Sequence, residues 1–157
     1  MEGKQSISTR IVDYLKENQV LFDQVNHPSA GSAEDYRQTM GTRLEQQAKA
    51  LFVRVKRKNT KGFVIVAIQA QKKADFDLIR DLLGAAEVRL GTAEQLLETT
   101  GCSYGELPPL GKIFGVPLLM DRKLLTEEKI YFNAGALNFS VIMDPHELLR
   151  IEEPLLF

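Results

Sequence analysis

The feature that most constrains the fold is a pair of apolar stretches separated by a short polar segment. The first stretch, Ala50 to Lys56, has apolar residues alternating along it, and the second runs from Phe63 to Gln69. The segment between them ends in Asn59-Thr60-Lys61-Gly62, which is rich in turn-forming residues. We therefore predict a β-hairpin whose strands are half-buried, and such a hairpin commits the chain to a sheet.

Apolar periodicity and capping residues predict the remaining elements. Helices are predicted over Ser8 to Glu17, between Ser32 and Gly41, over Ala74 to Leu83, between Thr92 and Gly101, and from Asp144 onward, where Asp144 is the expected cap and Glu147 its partner in a capping box. Further strands are predicted over Val20 to Val25, Val116 to Asp121, Lys129 to Phe132 and Phe139 to Met143. Because helices and strands do not alternate strictly, we predict one α+β domain over residues 1–157, with a mixed sheet and peripheral helices.

Length and composition exclude several classes of protein. A chain of 157 residues with a net charge of −1 and 26% charged residues is typical of one globular domain. Its longest wholly apolar run, Phe63 to Ile68, is too short to span a bilayer, and Met1 to Ser6 contains no apolar core of a secretory signal. The single cysteine, Cys102, excludes an intramolecular disulfide and fits a reducing compartment. We therefore expect a cytoplasmic protein without a membrane partner.

Basic residues are concentrated around the predicted hairpin turn. This basic cluster comprises Arg54, Lys56, Arg57, Lys58 and Lys61, and it is followed by Lys72 and Lys73. The charges could keep a hairpin end soluble and resistant to edge pairing. They could equally contact the phosphates of a nucleic acid without reading its sequence. The pattern does not separate these two interpretations.

A second group of residues lies at predicted strand ends or in the turns that follow. It comprises His27-Pro28, Lys49, the glycine- and proline-rich loop from Gly101 to Gly111, and Asn133-Ala134-Gly135. Taken singly, each loop is an ordinary turn, and Lys49 is a surface lysine at the start of a strand. Together they fit a pocket rimmed by backbone amides and carbonyls, with one cation.

Other kinds of site are not supported by the residues. Two histidines and one cysteine, distant in sequence, do not predict a zinc site, and we expect neither a metal nor another cofactor. Cys102 has no neighbouring base that would make it a nucleophile. The segment from Gly105 to Lys112 lacks both the spacing of a phosphate-binding loop and the hydroxyl that should follow its lysine.

Several segments resemble the YbaK family of aminoacyl-tRNA deacylases, the free-standing relatives of the editing domain of bacterial prolyl-tRNA synthetase. The resemblance covers His27 to Leu149. It is carried by Gly41 to Leu51, which contains Lys49, by Thr100-Gly101-Cys102 followed by Gly105 to Gly111, by Pro117 to Asp121, and by Ile130 to Gly135.

The resemblance implies a largely antiparallel, curved sheet and an enzyme that hydrolyses the ester joining an amino acid to the terminal ribose of a tRNA. The implied substrate is a small amino acid on the tRNA for proline, and a non-catalytic module that binds tRNA or aminoacyl-tRNA is the alternative. Lys49 is the implied catalytic residue, which would steer the ester or hold the terminal phosphate. The implied substrate-binding residues are His27, Gly101, Gly105, Pro108, Pro109, Asn133, Gly135 and Ser140, with the amides near Gly101 and Gly135 framing the aminoacyl group.

The acceptor end of an aminoacylated tRNA is therefore the expected partner, with a synthetase as a second candidate. In this interpretation Arg54, Lys56, Arg57 and Lys58 contact the tRNA. Two segments depart from the family pattern: Glu106 replaces a glycine, and Ala136-Leu137-Asn138 replaces a polar run. Leu137 is expected to make the pocket more apolar and to favour side chains without hydroxyls.

Overall fold

The computed structural model describes residues 6–157, so Met1 to Gln5, where no secretory signal is predicted, lie outside the described residues. The helices are α1 (Ile7–Glu17), α2 (Ala33–Met40), α3 (Phe76–Leu83), α4 (Ala93–Thr100) and α5 (His146–Glu152). The strands are β1 (Phe22–Asn26), β2 (Ala48–Lys56), β3 (Lys61–Gln69), β4 (Glu87–Leu90), β5 (Leu118–Met120), β6 (Ile130–Ala136), β7 (Phe139–Met143) and β8 (Leu155–Leu156). None of these helices is long and apolar enough to cross a bilayer.

The strands form two sheets. One has five strands in the order β4-β2-β3-β5-β8, and the other has three in the order β1-β7-β6. Pairing is antiparallel throughout the smaller sheet and between β4, β2 and β3, whereas β5 pairs in parallel with both β3 and β8. The α+β class and the mixed, largely antiparallel pairing are confirmed. The difference from the prediction is that the strands divide between two sheets, which an isolated parallel bridge between Gln47 and Tyr131 connects.

The predicted hairpin is confirmed, and it is the centre of the larger sheet. Lys56 pairs with Lys61, and the Arg57 N–H donates to the Thr60 carbonyl at 2.8 Å to close the turn. The strands are buried on both faces rather than half-buried. Ile65 packs into the main core, while Val64 packs into a second cluster that α3 covers through Ile79. Burial on both faces explains the uninterrupted apolar run in β3.

Local capping signals position the helix ends around the site. Thr92 and Gln95 form a complete capping box at the start of α4, and Gly101 ends that helix with φ = 77°. The Ser32 hydroxyl accepts from the Asp35 N–H at 3.1 Å and starts α2. These caps match the predicted helix boundaries because each is made within four residues of chain.

Three local predictions differ from the structure. The polar stretch from Arg43 to Ala48 is helix-like in sequence, but it forms only a short 3₁₀ turn, Leu44–Gln46. The N-cap of the last helix is Pro145 and not Asp144, although Asp144 Oδ1 accepts from the His146 N–H at 2.8 Å. Glu147 does not complete a capping box, because its carboxylate pairs with Arg150 one turn later. The short strands β4 and β8 carry no local signal strong enough to predict them.

Candidate active site

A cavity of about 230 Å³ lies where the facing edges of the two sheets separate. Strand β4 pairs with β2 only from Val53 to Lys56, so the same edge of β2 is left uncovered nearer its start. The cavity is lined there by residues 47–51, and by residues 131–133 of β6 on the facing edge. Residues 30–33, 104 and 105, with Tyr36, Ala70 and Leu107, complete its wall. An uncovered strand edge leaves backbone polar groups available to a ligand.

Lys49 supplies the cation of this cavity. Its ammonium donates to the carbonyl oxygen of Lys72 at 2.7 Å and lies 3.3 Å from that of Ala70. No carboxylate of residues 6–157 forms an ion pair with it. Partial burial lowers the pKa of Lys49, because desolvation disfavours the charged form. Since an ammonium group has three donors and two are used on carbonyls, one N–H remains for a ligand.

The carbonyl partners of Lys49 are themselves held in place. The Lys72 ammonium forms an ion pair with Asp121 Oδ2 at 2.7 Å, and Asp121 is only 8% exposed. The Ala70 N–H donates to the Gln47 carbonyl, and the Lys72 N–H to that of Gln69. The turn after β3 therefore presents two fixed acceptors to Lys49, which orient its ammonium before any substrate binds.

A network of polar side chains links His27 and Ser140 to the cavity wall. Ser140 is fully buried, and its Oγ lies 2.7 Å from His27 Nε2 and accepts from the Tyr36 hydroxyl at 2.7 Å. It also lies 3.3 Å from Asn133 Oδ1, to which it can donate. Burial raises the pKa of Tyr36 to about 12, so this hydroxyl stays protonated. His27 and Ser140 do not line the cavity, and they reach it through Tyr36 and Asn133.

Asn133 joins the two loops that form the cavity rim. Its side-chain amide donates to the Ala30 carbonyl at 2.8 Å and to the Gly105 carbonyl at 3.0 Å. Gly105 has φ = 87°, and a Cβ atom there would lie 3.0 Å from a methyl of Leu137. The Gly105 N–H donates to no acceptor among residues 6–157. Gly105 therefore brings an unused backbone donor to the rim at a position where only glycine fits easily.

The other implied binding residues lie outside the cavity lining. Pro108 and Pro109 are buried. The Gly101 N–H donates to Leu97 O, and the Gly135 N–H donates to Glu106 O, each at 2.8 Å. These two amides therefore already have acceptors in the structure. Leu137, one of the residues that depart from the family pattern, also does not line the cavity, although it packs behind Gly105.

Three tyrosines in the cavity wall and one buried carboxylate were not among the site residues predicted from the sequence. Tyr36, Tyr104 and Tyr131 line the cavity. The buried carboxylate of Glu152 accepts from the Gly111 N–H at 2.8 Å and from the Tyr14 hydroxyl at 2.6 Å, and so holds the end of the glycine- and proline-rich loop. Burial raises the pKa of Tyr14 well above its usual range. No local pattern marks these residues, since their partners are distant in sequence.

The basic cluster lies at the opposite end of β2 from the cavity. Lys56 is about 24 Å from Lys49 along the strand, at about 3.4 Å per residue. Arg54 is largely buried and pairs with Glu87 at 3.7 Å, and Arg57 donates to the Leu83 carbonyl at 3.1 Å. The side chains of residues 56–58 and 61 are exposed. These exposed charges are therefore separate from the cavity.

Cys102 is fully buried in the main core, and burial raises the pKa of its thiol to about 11. It does not line the cavity. Among residues 6–157, no group of three His, Cys, Asp or Glu side chains is arranged to hold a metal ion. Apart from tyrosines, Lys49 is the one ionisable residue among the described residues that line the cavity.

The cavity is small, and it offers one oriented cation and one unused backbone amide. Its described lining contains no carboxylate or histidine. These are the features of a site that hydrolyses an activated ester. Residues 27–151 match the family model of the aminoacyl-tRNA editing domain. The chain is 32% identical over 150 residues to the multifunctional Ser/Thr-tRNA deacylase ProXp-y of Escherichia coli strain K12, covering 92% of this chain and 87% of that protein. The chain belongs to the aminoacyl-tRNA editing domain family, and it is an editing hydrolase of aminoacyl-tRNA.

Other similarities agree with this assignment. A proline–tRNA ligase of Thermosipho melanesiensis is 26% identical over 118 residues, covering 71% of this chain but only 20% of the ligase. The crystal structure of the hypothetical protein APE2540 matches with a TM-score of 0.85 and 23% identity, covering 94% of this chain and 96% of that one. A candidate trans-editing enzyme for prolyl tRNA synthetase matches with a TM-score of 0.82 and 21% identity, covering 99% and 97%. At these identities, the two structures show a shared fold.

Proposed function

We propose that Lys49 is the catalytic residue and that the cavity binds the aminoacyl ester of a mischarged tRNA. The observation that carries this proposal is the oriented ammonium of Lys49, which keeps one N–H after donating to the Ala70 and Lys72 carbonyls. A partly desolvated cation interacts more strongly with developing negative charge than a solvated one does. Its contribution is therefore largest in the transition state.

The ester is already activated, so hydrolysis requires neither a covalent nucleophile nor a metal. Attack of water places negative charge on the ester carbonyl oxygen, and two donors are available at the rim: the Lys49 ammonium and the Gly105 N–H. The bond between the carbonyl carbon and the ribose oxygen then breaks, and the ribose hydroxyl leaves with a proton from the attacking water. Asn133 supports this step by holding the Gly105 and Ala30 carbonyls in place.

The size of the cavity supports a small amino acid as the substrate. Its volume of about 230 Å³ is below the roughly 300–1,000 Å³ of pockets that hold drug-sized ligands. Because such a cavity selects mainly by excluding larger side chains, alanine, serine, cysteine and 2-aminobutyrate are the candidates. The name of the Escherichia coli relative adds threonine to this group. The likeness to the proline–tRNA ligase supports the tRNA for proline as the carrier.

The test is deacylation of a panel of tRNAs charged with these five amino acids and with proline, leucine and phenylalanine as larger controls. We expect the small esters to be cleaved and the large ones to persist. Faster cleavage of the serine ester than of the alanine ester would contradict the predicted influence of Leu137. Tight binding of the panel without loss of any ester would instead support the alternative of a non-catalytic binding module.

We propose that the basic cluster captures the tRNA backbone and takes no part in the chemistry. Replacing Arg57 and Lys58 by Gln should weaken tRNA binding and reduce the slope of log affinity against log salt by about 0.7–0.9 for each phosphate that the variant no longer neutralises. The rate at saturating tRNA should stay nearly constant, because these side chains lie far from Lys49. Affinity measurements from low to moderate salt, together with single-turnover rates, check both expectations.

The matched control removes two exposed charges elsewhere, with Lys16→Gln and Lys129→Gln. An equal decrease of affinity in the control would show an effect of net charge alone. If the slope of log affinity against log salt is unchanged in the Arg57 and Lys58 variant, the basic cluster only keeps the hairpin end soluble. The acceptor stem would then bind elsewhere, and exposed Lys73, beside the turn that contacts Lys49, is the next residue to replace.

We propose that residues 1–157 are one domain that acts in the cytoplasm on aminoacyl-tRNA. A synthetase is a second candidate partner, because editing acts on the products of imperfect amino acid selection. Pull-down of synthetases by the purified chain, with and without tRNA, tests that partner.

A further inference from the structure

The position of the scissile ester restricts where the terminal base of the tRNA lies. If Lys49 acts on the ester, the ribose that carries this ester lies at the mouth of the cavity. The base attached to the same ribose must then lie against the rim, within the length of one nucleoside. This step rests on the proposed function of Lys49. The rim residues beside Lys49 therefore include the surface that meets the base.

Four aromatic side chains line the cavity, and their burial differs sharply. Tyr36 is 5% exposed, Phe132 is 3% exposed and Tyr131 is partly buried, whereas Tyr104 is 56% exposed. A buried ring already has packing partners on its faces. Among the described aromatic residues of the lining, Tyr104 therefore offers the largest aromatic surface to a ligand at the rim.

The orientation of the Tyr104 ring is fixed at its far end. The Tyr104 hydroxyl donates to the Gly91 carbonyl at 2.6 Å. Gly91 is itself held against β2, since its N–H donates to the Phe52 carbonyl at 2.8 Å and an added Cβ would lie only 2.5 Å from the Phe52 ring. An exposed ring restrained in this way loses little conformational freedom when a ligand stacks on it.

We propose that Tyr104 is a stacking platform for the terminal base of the tRNA and so forms a nucleobase subsite at the mouth of the cavity. Base-on-aromatic stacking tolerates any base, because every base has a π-face, and removal of such a platform lowers affinity about tenfold to hundredfold. The platform positions the ester through the ribose, while Lys49 and the Gly105 N–H contact the reacting atoms. Tyr104 is therefore a positioning residue.

The test compares wild type, Tyr104→Ala and Tyr104→Phe on two substrates. One is an aminoacylated acceptor-stem RNA with a terminal adenine, and the other is the same RNA with an abasic terminal ribose. Tyr104→Ala should lower kcat/KM about tenfold to hundredfold on the adenine substrate through KM, with kcat within about twofold. On the abasic substrate the variant should match wild type. Tyr104→Phe keeps the ring and should lose at most about threefold on either substrate.

The control is Leu21→Ala, which removes an apolar side chain between α1 and β1 that is 85% exposed. It should not change the deacylation rate on either substrate. An equal decrease for Tyr104→Ala on both substrates, or a decrease for Tyr104→Phe as large as that for alanine, would overturn the proposal. Tyr104 would then be a tether between its loop and Gly91.

A binding measurement separates failure of this proposal from failure of the proposed function. Acceptor-stem RNA with 2-aminopurine as its terminal base should lose fluorescence on binding to wild type and to Tyr104→Phe, and keep it with Tyr104→Ala. Quenching without ester cleavage would support the platform and reject catalysis. Cleavage without Tyr104-dependent quenching would support catalysis and reject the platform.

Discussion

Replacing Lys49 by Ala should lower kcat/KM for deacylation by at least about a hundredfold, which is the usual cost of removing one donor from a developing oxyanion. The variant also leaves the carbonyl oxygens of Ala70 and Lys72 without their ammonium partner. Thermal stability should nevertheless change little, because the partly buried ammonium forms no ion pair with a carboxylate of residues 6–157 and its two carbonyl partners are only partly buried. Single-turnover deacylation and a thermal unfolding curve on the same preparation measure both effects.

Two further variants test whether the loss of activity is specific to the ammonium group of Lys49. Lys49→Arg keeps a cation and should retain a part of the activity, since a planar guanidinium cannot reproduce the geometry of an ammonium held by two carbonyls. Lys73→Ala removes an exposed charge from the neighbouring turn and should leave kcat unchanged. An unchanged turnover number for Lys49→Ala would reject the catalytic role. A large decrease in Tm with proportionate loss of activity would identify Lys49 as a structural residue.

Replacing Asn133 by Ala should have the second-largest effect, and it should lower activity and stability together. The Asn133 amide holds the carbonyls of Ala30 and Gly105, which belong to the two loops that form the rim. Leaving the buried carbonyl of Ala30 unsatisfied costs about 1–3 kcal/mol, so Tm should fall by several degrees. Misalignment of the rim should lower kcat about tenfold to hundredfold.

Asn133→Asp separates the hydrogen bonds from the shape of the side chain. The carboxylate has almost the same shape but offers only acceptors to the two carbonyls, so it should be at least as damaging as alanine. Asn138→Ala removes an exposed asparagine of the following turn and should affect neither activity nor Tm. Wild-type kcat for either Asn133 variant would show that the rim does not depend on this bridge.

The family resemblance and the α+β fold are confirmed, and both depend on signals that are local in sequence. The hairpin between β2 and β3 follows from two apolar stretches and a short turn, and the ends of α4 follow from a capping box at Thr92 and a glycine at Gly101. The assignment of Lys49, Gly105 and Asn133 to one site remains a prediction, although the structure brings all three to one cavity. We predicted that convergence because each residue was expected at a strand end or in an adjoining turn, whereas the structure places Asn133 inside β6.

The sequence by itself determined most of the helices and strands, though not β4 and β8, because capping, turn formation and apolar periodicity act over a few neighbouring residues. Only the tertiary structure decided that the strands form two sheets and that the cavity opens where β4 stops covering β2. It also decided that Lys49 meets two carbonyls and that the hydroxyl of exposed Tyr104 is tied to Gly91. These contacts join segments distant in the chain, and they form only when the whole domain compensates the entropy of bringing those segments together.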